Sequence, residues 1–416
     1  MIRRRFKYFM PERNEFSTTG EETLLSVSEY YGVKPRSEAF DADAAEGRAA
    51  SLEGYRKVKA GDFVMNYMLA WKGAYGVSDH DGIVSPAYAV YKIDPKYADR
   101  RFIHHRLRSE HMRSVFRARS KGIIESRLRL YPDAFLSMEL ELPDLETQKA
   151  IADFLDRETA RIDQLIEKKQ RLVGLLRERS LSAIEKAVTA DASLSKLGHH
   201  VKILPGYAFA SAAFSSNDED IRLLRGANVS PGKIRWDDVV YWPRDAVGGL
   251  DRFQLDTGDI VMGMDRPWIS GGIRVAEITE SDLPALLLQR VCKIIPLKTL
   301  SKEFLKLLLS SKKFLGYFEP ELTGVSVPHI SGDQIAGFRF ACLPVSQQDK
   351  RARACQKVLK SNDAIIERAQ QSMSRLQEFR SALITAAVTG QIDVATWGKQ
   401  GQTDRHLDQI EEAMRV

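Results

Sequence analysis

Apolar residues between Pro143 and Thr189 recur at steps of three, four and seven, with charged residues on either side. The positions are Ile151, Leu155, Ile162, Leu165, Ile166, Leu172, Leu175, Leu176, Ile184 and Val188. A narrow apolar stripe with charged flanks predicts a long helix that buries a coiled-coil seam. A second such helix is predicted from about Ser346 to Thr389, with Gly390 as its C-cap. Its seam residues are Val358, Ile365, Ile366, Met373, Leu376, Phe379, Leu383 and Ala387.

The two predicted helices are natural partners, because neither seam is stable when it is exposed to water. Antiparallel pairing would return the chain to its starting point. About 40 residues at 1.5 Å per residue give a rod of up to ~60 Å. Seam residues that a partner subunit could also contact are Ile151, Leu155, Ile162, Ile166, Leu172, Leu176, Ile365, Met373, Leu376, Phe379 and Leu383.

A globular part precedes each long helix. Short β-like runs are separated by Gly and Pro turns, and a short amphipathic helix is predicted near 100–118 and again near 302–318. The predicted strands lie in 62–67, 82–93, 259–264 and 290–295. Mixed strands and helices indicate an α+β fold.

The chain repeats itself at an offset of about 200 residues. "AGDFVMNYM" (60–68) resembles "TGDIVMGMD" (257–265), and "LELPDLETQK" (140–149) resembles "FACLPVSQQDK" (340–350). Two further pairs, at 24–32 with 223–232 and at 178–189 with 378–389, keep the same order. The sequence therefore predicts two similar heads separated by an antiparallel two-helix spacer. The segment 196–198 has no clear counterpart before Met1, so the first strand of the first head is expected to be trimmed.

Charge and composition narrow the class of protein. The 416 residues carry 62 Lys and Arg against 56 Asp and Glu, and residues 100–129 hold ten basic side chains against two acidic ones. Such a stripe suits a polyanion, and two heads at a fixed spacing suit duplex DNA, whose major groove recurs every ~34 Å. Three scattered cysteines and the absence of a long apolar run favour a cytoplasmic protein without disulfides, zinc or a membrane span.

The sequence contains no convincing motif for catalysis. No phosphate-binding loop or methyltransferase motif is found, and Pro143-Asp144 with Glu167-Lys168-Lys169 only imitates a nuclease pattern, because Glu167 falls in mid-helix. The adjacent pairs His104-His105 and His199-His200 are expected to be solvated or capping residues. The alternatives to DNA binding are a scaffold whose heads hold proteins and, less consistent with the residues, a free-standing nuclease.

The segment "LPDLETQKAIADFLDRETARIDQLIEKKQRLVGLLRERS" resembles the central helix of type I restriction–modification specificity subunits. Residues 61–91 and "RSALITAAVTGQIDV" (380–394) are similar to the same family, and the second helix is more divergent. The resemblance runs from about Thr19 to Val394. It implies target recognition domains at 1–142 and 191–343, spacer helices at 143–190 and 344–394, and a tail at 395–416 outside the match.

The resemblance implies a non-catalytic subunit. Each head would read one half of a split double-stranded DNA target, and the helices would set the gap and dock two methyltransferase subunits. S-adenosylmethionine would bind those subunits, and restriction/translocase subunits would bring ATP and Mg. This chain itself would hold no cofactor and no metal.

DNA contacts are expected in the loop after the short helix of each head, since base readout needs Arg, Lys, Asn, Gln or Ser at a groove edge. The candidates in the first head are Arg119, Lys121, Gly122, Ser126 and Arg127, and those in the second are Gly324, Ser326, His329 and Ser331. Further candidates follow the Gly-Asp strand or line the basic stripe: Asn66, Tyr67, Lys72, Arg266, Arg100, Arg101 and Arg106. Trp71 and Trp268 in those loops are expected to fill the core of their heads.

Overall fold

The computed structural model describes residues 2–38, 51–124, 127–269, 272–322 and 329–412. The chain divides into unit 1, Met1–Gln170 with Arg368–Val416, and unit 2, Arg171–Glu367. Each unit therefore contains one head and a part of both long helices.

The helices are α1 (Arg100–Arg108), α2 (Glu110–Arg119), α3 (Pro132–Leu136), α4 (Leu145–Val188), α5 (Lys302–Leu309), α6 (Lys312–Leu322), α7 (Gly332–Gly337), α8 (Val345–Val388), α9 (Val394–Lys399) and α10 (Gln402–Glu412). The two long helices, α4 and α8, have 44 residues each and confirm the predicted pair. Asp144 caps α4, since its Oδ1 accepts the Thr147 backbone N–H at 2.8 Å. Gly390, with φ +73°, ends α8 in the left-handed conformation.

The prediction of one amphipathic helix in each head is wrong, because two shorter helices occupy each segment. Ser109 divides the first: its hydroxyl donates to the Arg106 carbonyl at 2.8 Å and accepts the Met112 N–H at 3.4 Å. In the second head Ser311 has the same role, donating to Leu308 and accepting from Phe314. A serine that caps both helices makes a bend more favourable than continued helix.

Unit 1 is built on a small antiparallel sheet with the order β6-β5-β8. The strands of the unit are β1 (Ile2–Arg5), β2 (Leu25–Ser28), β3 (Gly32–Pro35), β4 (Arg56–Val58), β5 (Phe63–Met65), β6 (Tyr75–Val77), β7 (Gly82–Val84), β8 (Ala89–Tyr91) and β9 (Glu139–Leu142). Its core is rich in aromatic rings, among them Phe63 and Phe135, which stack at 5.5 Å. Strands and helices in one head confirm the α+β prediction.

Unit 2 contains an antiparallel sheet of order β11-β21-β16-β19 and a mixed sheet of order β15-β12-β20. The strands are β10 (Leu194–Lys196), β11 (Val201–Pro205), β12 (Ile221–Leu224), β13 (Val229–Ser230), β14 (Lys233–Ile234), β15 (Tyr241–Trp242), β16 (Ile260–Gly263), β17 (Trp268–Ile269), β18 (Gly272–Ile273), β19 (Val275–Glu277), β20 (Ala285–Leu287), β21 (Val291–Pro296) and β22 (Arg339–Ala341). Its largest core joins the four-stranded sheet to α5 and α6 through Phe304, Phe314 and Phe318.

The internal repeat is visible in the backbone of the two units. The glycines of the Gly-Asp turns, Gly61 and Gly258, have φ of +98° and +91°, which a residue with a side chain rarely adopts. β1 pairs with β9 in unit 1 as β10 pairs with β22 in unit 2. The expectation of a trimmed first strand is therefore wrong: residues 2–5 supply it despite their different sequence.

The long helices pair antiparallel within each unit. In unit 1 the Arg380 guanidinium on α8 contacts both carboxylate oxygens of Asp163 on α4, at 2.9 and 3.1 Å. In unit 2 Asn362 Nδ2 donates to Ser180 Oγ at 2.8 Å, and Arg351 Nη1 donates to the Thr189 carbonyl at 2.8 Å. As residue numbers rise along α8 from Arg351 to Asn362, the numbers of their partners on α4 fall from Thr189 to Ser180, as antiparallel pairing requires.

Most predicted seam residues are buried, but Leu172, Leu175 and Ile365 are 41%, 58% and 38% exposed, so the prediction is wrong for these three. On α4 the seven-residue step from the buried Ile166 leads to Val173, which is buried, and Leu172 one position earlier lies outside the seam. Several buried positions of α8 carry small or polar side chains: Ala352, Cys355, Asn362, Ala369 and Ser372.

Residues 394–412, in the tail outside the resemblance, form α9 and α10, which pack within unit 1. Asp404 on α10 pairs with Arg161 on α4 at 2.5 Å, and the His406 ring stacks on Phe379 of α8 at 5.0 Å. The side chain of Leu407, on α10, is buried. The end of the described chain therefore adds two helices to the helical pair of this unit.

Candidate nucleic-acid interface

The predicted DNA-contacting loop of unit 1 is a β-hairpin. Lys121 and Arg129 exchange both backbone hydrogen bonds, at 2.9 and 3.0 Å, and the Arg127 N–H donates to the Ile124 carbonyl at 2.8 Å. We call the described residues of this segment, 121–124 and 127–129, the basic hairpin. Ser126, one of the predicted contacts, lies outside the described residues.

The base of the basic hairpin is fixed beside the end of β5. The Leu130 N–H donates to the Tyr67 carbonyl at 2.9 Å, and the Leu130 side chain is fully buried. The Tyr67 ring stacks on the Tyr131 ring with centroids 6.1 Å apart. Tyr67 is therefore a supporting residue of the hairpin, half-buried beneath it.

Exposed cations surround this hairpin. Arg119, Lys121, Arg127 and Arg129 are all exposed. Two more cations lie over the indole of Trp71: Lys72 Nζ at 5.2 Å and the Arg117 guanidinium at 5.6 Å. Trp71 is only 9% exposed and belongs to the core, as expected. These exposed cations give unit 1 a basic surface that suits a polyanion.

Gly122 has a different role from the one predicted. A Cβ at this position would lie 2.7 Å from the Arg127 carbonyl oxygen, closer than side chains tolerate. The close backbone approach that requires glycine occurs inside the hairpin itself and lets its two strands meet.

Asn66 is a structural residue, and its predicted contact with DNA is not supported by its position. It is 4% exposed, and its Oδ1 accepts the Met68 N–H at 3.1 Å. Its backbone N–H donates to Ala74 across the loop that follows β5. A polar residue directly after a strand looks the same in sequence whether it holds the loop or faces a ligand.

The three arginines proposed as phosphate contacts have different environments. Arg100 is exposed at the start of α1. Arg101 instead binds Asp153 at 2.7 Å and Asp156 at 2.9 Å on α4. Two guanidinium nitrogens of Arg106, Nε and Nη1, are buried, and burial lowers its pKa. Arg100 is therefore the best placed of the three to contact a phosphate, because the Arg101 side chain, although 41% exposed, is held by two carboxylates.

Unit 2 places an equivalent surface at the end of β16. The Ile330 N–H donates to the Met264 carbonyl at 3.0 Å, the same bond that Leu130 makes to Tyr67 in unit 1. The segment that would form the second loop includes Gly324 and Ser326, which lie outside the described residues. The next residue that is described, His329, forms a β-bridge with Asp265.

Asp265 organises the charges of this surface. Its carboxylate contacts Arg290 Nη1 at 2.6 Å and His329 Nδ1 at 2.6 Å. Burial alone would raise the pKa of Asp265, but these two hydrogen bonds outweigh it and the pKa is lowered. His329 remains about half exposed and Arg290 more so, so both can still contact a ligand.

Arg266 follows Asp265 and is exposed, with φ +42°. Ser331, by contrast, is the N-cap of α7: its Oγ accepts the Gln334 N–H at 3.2 Å, and Gln334 Oε1 accepts the Ser331 N–H at 2.7 Å. Its prediction as a DNA contact is not supported, because the capping box engages its hydroxyl. Ser-x-x-Gln before α7 was the sequence signal for this role.

Sequence reasoning missed Arg129 and Arg290. Arg129 was visible as a basic residue in the loop, two positions from Arg127. Arg290 could not be assigned, because its approach to Asp265 depends on the left-handed backbone at φ +69° between β20 and β21.

The histidine pairs are not metal sites. His104 Nδ1 accepts the Val77 N–H at 3.3 Å, and burial lowers its pKa to about 3. His105 pairs with Asp156, and His200 lies between Thr299 and Ser195. The expectation of solvated or capping side chains is wrong for these three, although His199 is exposed. Among the described residues no cluster of three or more His, Cys, Asp or Glu could hold a metal ion.

The described helices include none that is long and apolar enough to cross a membrane. Both α+β heads carry exposed cations beside corresponding strands, Arg127 and Arg129 near the end of β5 and Arg266 and Arg290 near the end of β16. Such surfaces are suited to a polyanion.

Comparison with known proteins finds several relatives of this chain. The chain is 42% identical over 156 residues to the type I restriction enzyme EcoAI specificity subunit of Escherichia coli, covering 37% of this chain and 26% of that protein. It is 29% identical over 275 residues to the MjaVIII specificity subunit of Methanocaldococcus jannaschii, covering 62% of this chain and 63% of that protein. Its curated homologues are thus specificity subunits of type I restriction enzymes.

The matches span less than two thirds of the length of these relatives. No family model matches the chain. A solved chain from work on the assembly and conformational transition of a type I R-M system has the same fold, with a TM-score of 0.69 at 13% identity. That likeness covers 93% of this chain and 97% of the other.

Proposed function

We propose that this chain is the DNA-specificity subunit of a type I restriction–modification enzyme. One head, in unit 1, reads one half of a split double-stranded target, and the other head, in unit 2, reads the second half. The observation that carries the proposal is the repeated surface at the end of β5 and of β16. Sequence similarity to specificity subunits also supports the proposal, over 156 residues in one relative and 275 residues in another.

Within this function the exposed cations divide by role. Arg100, Arg119, Lys121 and Arg129 contact phosphates, which positions the head without reading sequence. Arg127 in unit 1 and Arg266 with His329 in unit 2 read base edges, since they are exposed beside the ends of β5 and β16. The two heads carry different side chains at these places, as two different half-sites require.

The long helices set the gap between the half-sites and dock two methyltransferase subunits. Most seam side chains are buried within the chain, so they support the helices rather than offering a surface. Leu172, Leu175 and Ile365 on the helices of unit 2 are exposed large apolar residues, which subunit interfaces commonly cover. S-adenosylmethionine binds the methyltransferase subunits, and restriction subunits add ATP and Mg.

The test is affinity purification of the tagged chain from its host, with mass spectrometry of the recovered proteins and methylation sequencing of the genome. Co-purification of two adenine methyltransferase copies and a split methylated motif that disappears on gene deletion are the expected results. Recovery of unrelated proteins, with an unchanged methylome, would identify a protein scaffold instead.

Salt dependence separates the two outcomes in vitro. Log affinity for duplex DNA should fall linearly with log salt, with a slope of roughly −0.9 for each phosphate contact. A scaffold would show little affinity for DNA at any salt concentration.

A further inference from the structure

Two neighbouring isoleucines of the basic hairpin, Ile123 and Ile124, are exposed, and we call this pair its tip. Ile123 is fully exposed and Ile124 is 54% exposed. Single apolar residues on a surface need no explanation, but two adjacent ones expose a continuous aliphatic area that a ligand could cover.

Backbone hydrogen bonds hold the residues on both sides of the isoleucines. Lys121 and Arg129 exchange two bonds, the Arg127 N–H donates to the Ile124 carbonyl, and the Leu130 N–H donates to the Tyr67 carbonyl. Gly122 lies against the Arg127 backbone, where a Cβ would not fit.

The charges around the tip indicate the chemistry of its ligand. Lys121 precedes the isoleucines and Arg127 and Arg129 follow them, all exposed. A surface that is cationic at its edges and apolar at its centre complements a DNA groove. Phosphates line the edges of a groove, while thymine methyl groups and base edges form its floor.

We propose that Ile123 and Ile124 enter a groove of the target and make apolar contacts with thymine methyl groups. The inference rests on the proposed function and assigns a specificity-determining role to residues without hydrogen-bonding side chains. The aligned position in the second head, by Gly122 and Gly324, is Val325, which is also apolar in sequence.

The test uses the complex purified with its methyltransferase subunits and a duplex carrying the motif read from the methylome. Ile123→Ala with Ile124→Ala should weaken binding to this duplex about tenfold, because several buried methyl and methylene groups are lost. Affinity for an unrelated duplex and its salt slope should not change. Ile2→Ala, an exposed isoleucine of the same unit, is the matched control and should bind like the wild type.

A second readout identifies the contacted atom. Replacing each thymine of the motif by deoxyuridine removes only the C5 methyl group. The wild-type complex should lose affinity at one or two positions, and the double variant should be insensitive there.

Each failure has a distinct signature. If the wild-type complex does not distinguish the motif from an unrelated duplex, the proposed function fails. If it does, but the double variant discriminates equally well, the apolar contact is wrong and the function stands. Loss of methyltransferase from the variant complex would instead show that the tip binds protein, and would overturn the inference.

Discussion

Gln148 and Gln348, 200 positions apart, make the same three hydrogen bonds in the two units. Each is fully buried. Gln148 Oε1 accepts the Asp99 N–H, and its Nε2 donates to the Tyr97 and Pro143 carbonyls. Gln348 bonds Ser301, Thr299 and Leu343 in the same way. One side chain in the first turn of each long helix thereby ties the helix to the start of the head's own helical segment.

Gln148→Leu should lower the free energy of unfolding by about 3 kcal/mol or more. Leucine has a similar size but leaves one buried N–H and two carbonyls without partners, and each such loss costs ~1–3 kcal/mol. Urea denaturation measures the change. Gln170→Leu, at an exposed position of the same helix, is the control and should stay within ~0.5 kcal/mol of the wild type. Equal stability of both variants would show that the three bonds contribute nothing.

The long helices, the repeat and the α+β heads could be predicted because they depend on local periodicity and on comparison of the chain with itself. The buried polar residues could not. Gln148 belongs to a repeated sequence segment, but nothing in that segment predicts its burial. The buried seam positions Asn362 and Ser372 could not be found by a search for apolar residues. Burial of a polar side chain depends on partners distant in sequence, such as Ser180 for Asn362.

In the candidate site, too, some residues could be predicted from the sequence and others could not. Exposed basic residues such as Arg127 could be located because the loop was placed correctly. Asn66 and Ser331 failed because a polar residue that closes a turn has the same composition signal as one that reads DNA. Arg290 was missed because its position depends on a backbone angle rather than on a motif.

Asn362→Ile should stabilise the helical pair of unit 2 by ~1 kcal/mol. Asn362 is fully buried, its Oδ1 has no hydrogen-bond partner, and the position 200 residues earlier is the buried Ile162. A buried amide oxygen without a partner is destabilising, although the bond to Ser180 opposes this gain. Thermal or urea unfolding measures the change. Reduced stability would show that the polar pair outweighs the unpaired oxygen.

The reciprocal change, Ile162→Asn, provides the control. It places an amide in the apolar core of unit 1, where Leu155 and Leu376 are fully buried. A loss of ~3 kcal/mol is expected. Sedimentation of both variants would also show whether Asn362 fixes the register of the helices, since polar seam residues can have that role.

Stability should fall as the pH is lowered from about 6.5 toward 3, in part because of His104. Burial lowers the pKa of His104 to about 3, so the unfolded state binds its proton first. Unfolding then takes up a proton in this window, and one such group contributes a slope of at most ~1.4 kcal/mol per pH unit. Above pH 6.5 this contribution is fully present.

His104→Asn removes the titration while keeping an acceptor for the Val77 N–H. The groups that face His104 include Arg108 and Arg380, which lower its pKa, and Asp156, which raises it. The variant should show a shallower dependence of unfolding free energy on pH between 6.5 and 3. An unchanged slope in urea titrations at several pH values would assign the acid sensitivity to other groups.

Arg127→Ala should weaken binding to the methylated motif more than binding to unrelated DNA. An arginine that reads a base contributes about 1–3 kcal/mol of discrimination at that base pair, and the variant loses it. Arg100→Ala is the comparison. As a phosphate contact it should weaken both duplexes equally and reduce the salt slope by about one. Fluorescence anisotropy at several salt concentrations measures both. Equal loss on both duplexes for Arg127→Ala would place that residue on phosphate.

Asp265→Asn should increase binding to unrelated DNA and reduce discrimination in favour of the motif. The carboxylate offsets the charge of Arg290 and, through its other oxygen, holds the His329 ring in position. Without its charge the Arg290 guanidinium is free to meet any phosphate, which adds about one to the salt slope. The change should affect only one half of the split motif, because Asp265 belongs to the head of unit 2.

Asp238→Asn is the matched control for this change. Asp238 also pairs with an arginine of unit 2, Arg225 at 2.8 Å, but its side chain is 78% exposed and it does not contact Arg290 or His329. Both variants add the same net charge, so a general electrostatic effect would raise unrelated binding equally. A larger effect of Asp265→Asn, with discrimination lost at one half-site in competition assays, would assign that half to unit 2; equal effects would remove Asp265 from the recognition surface.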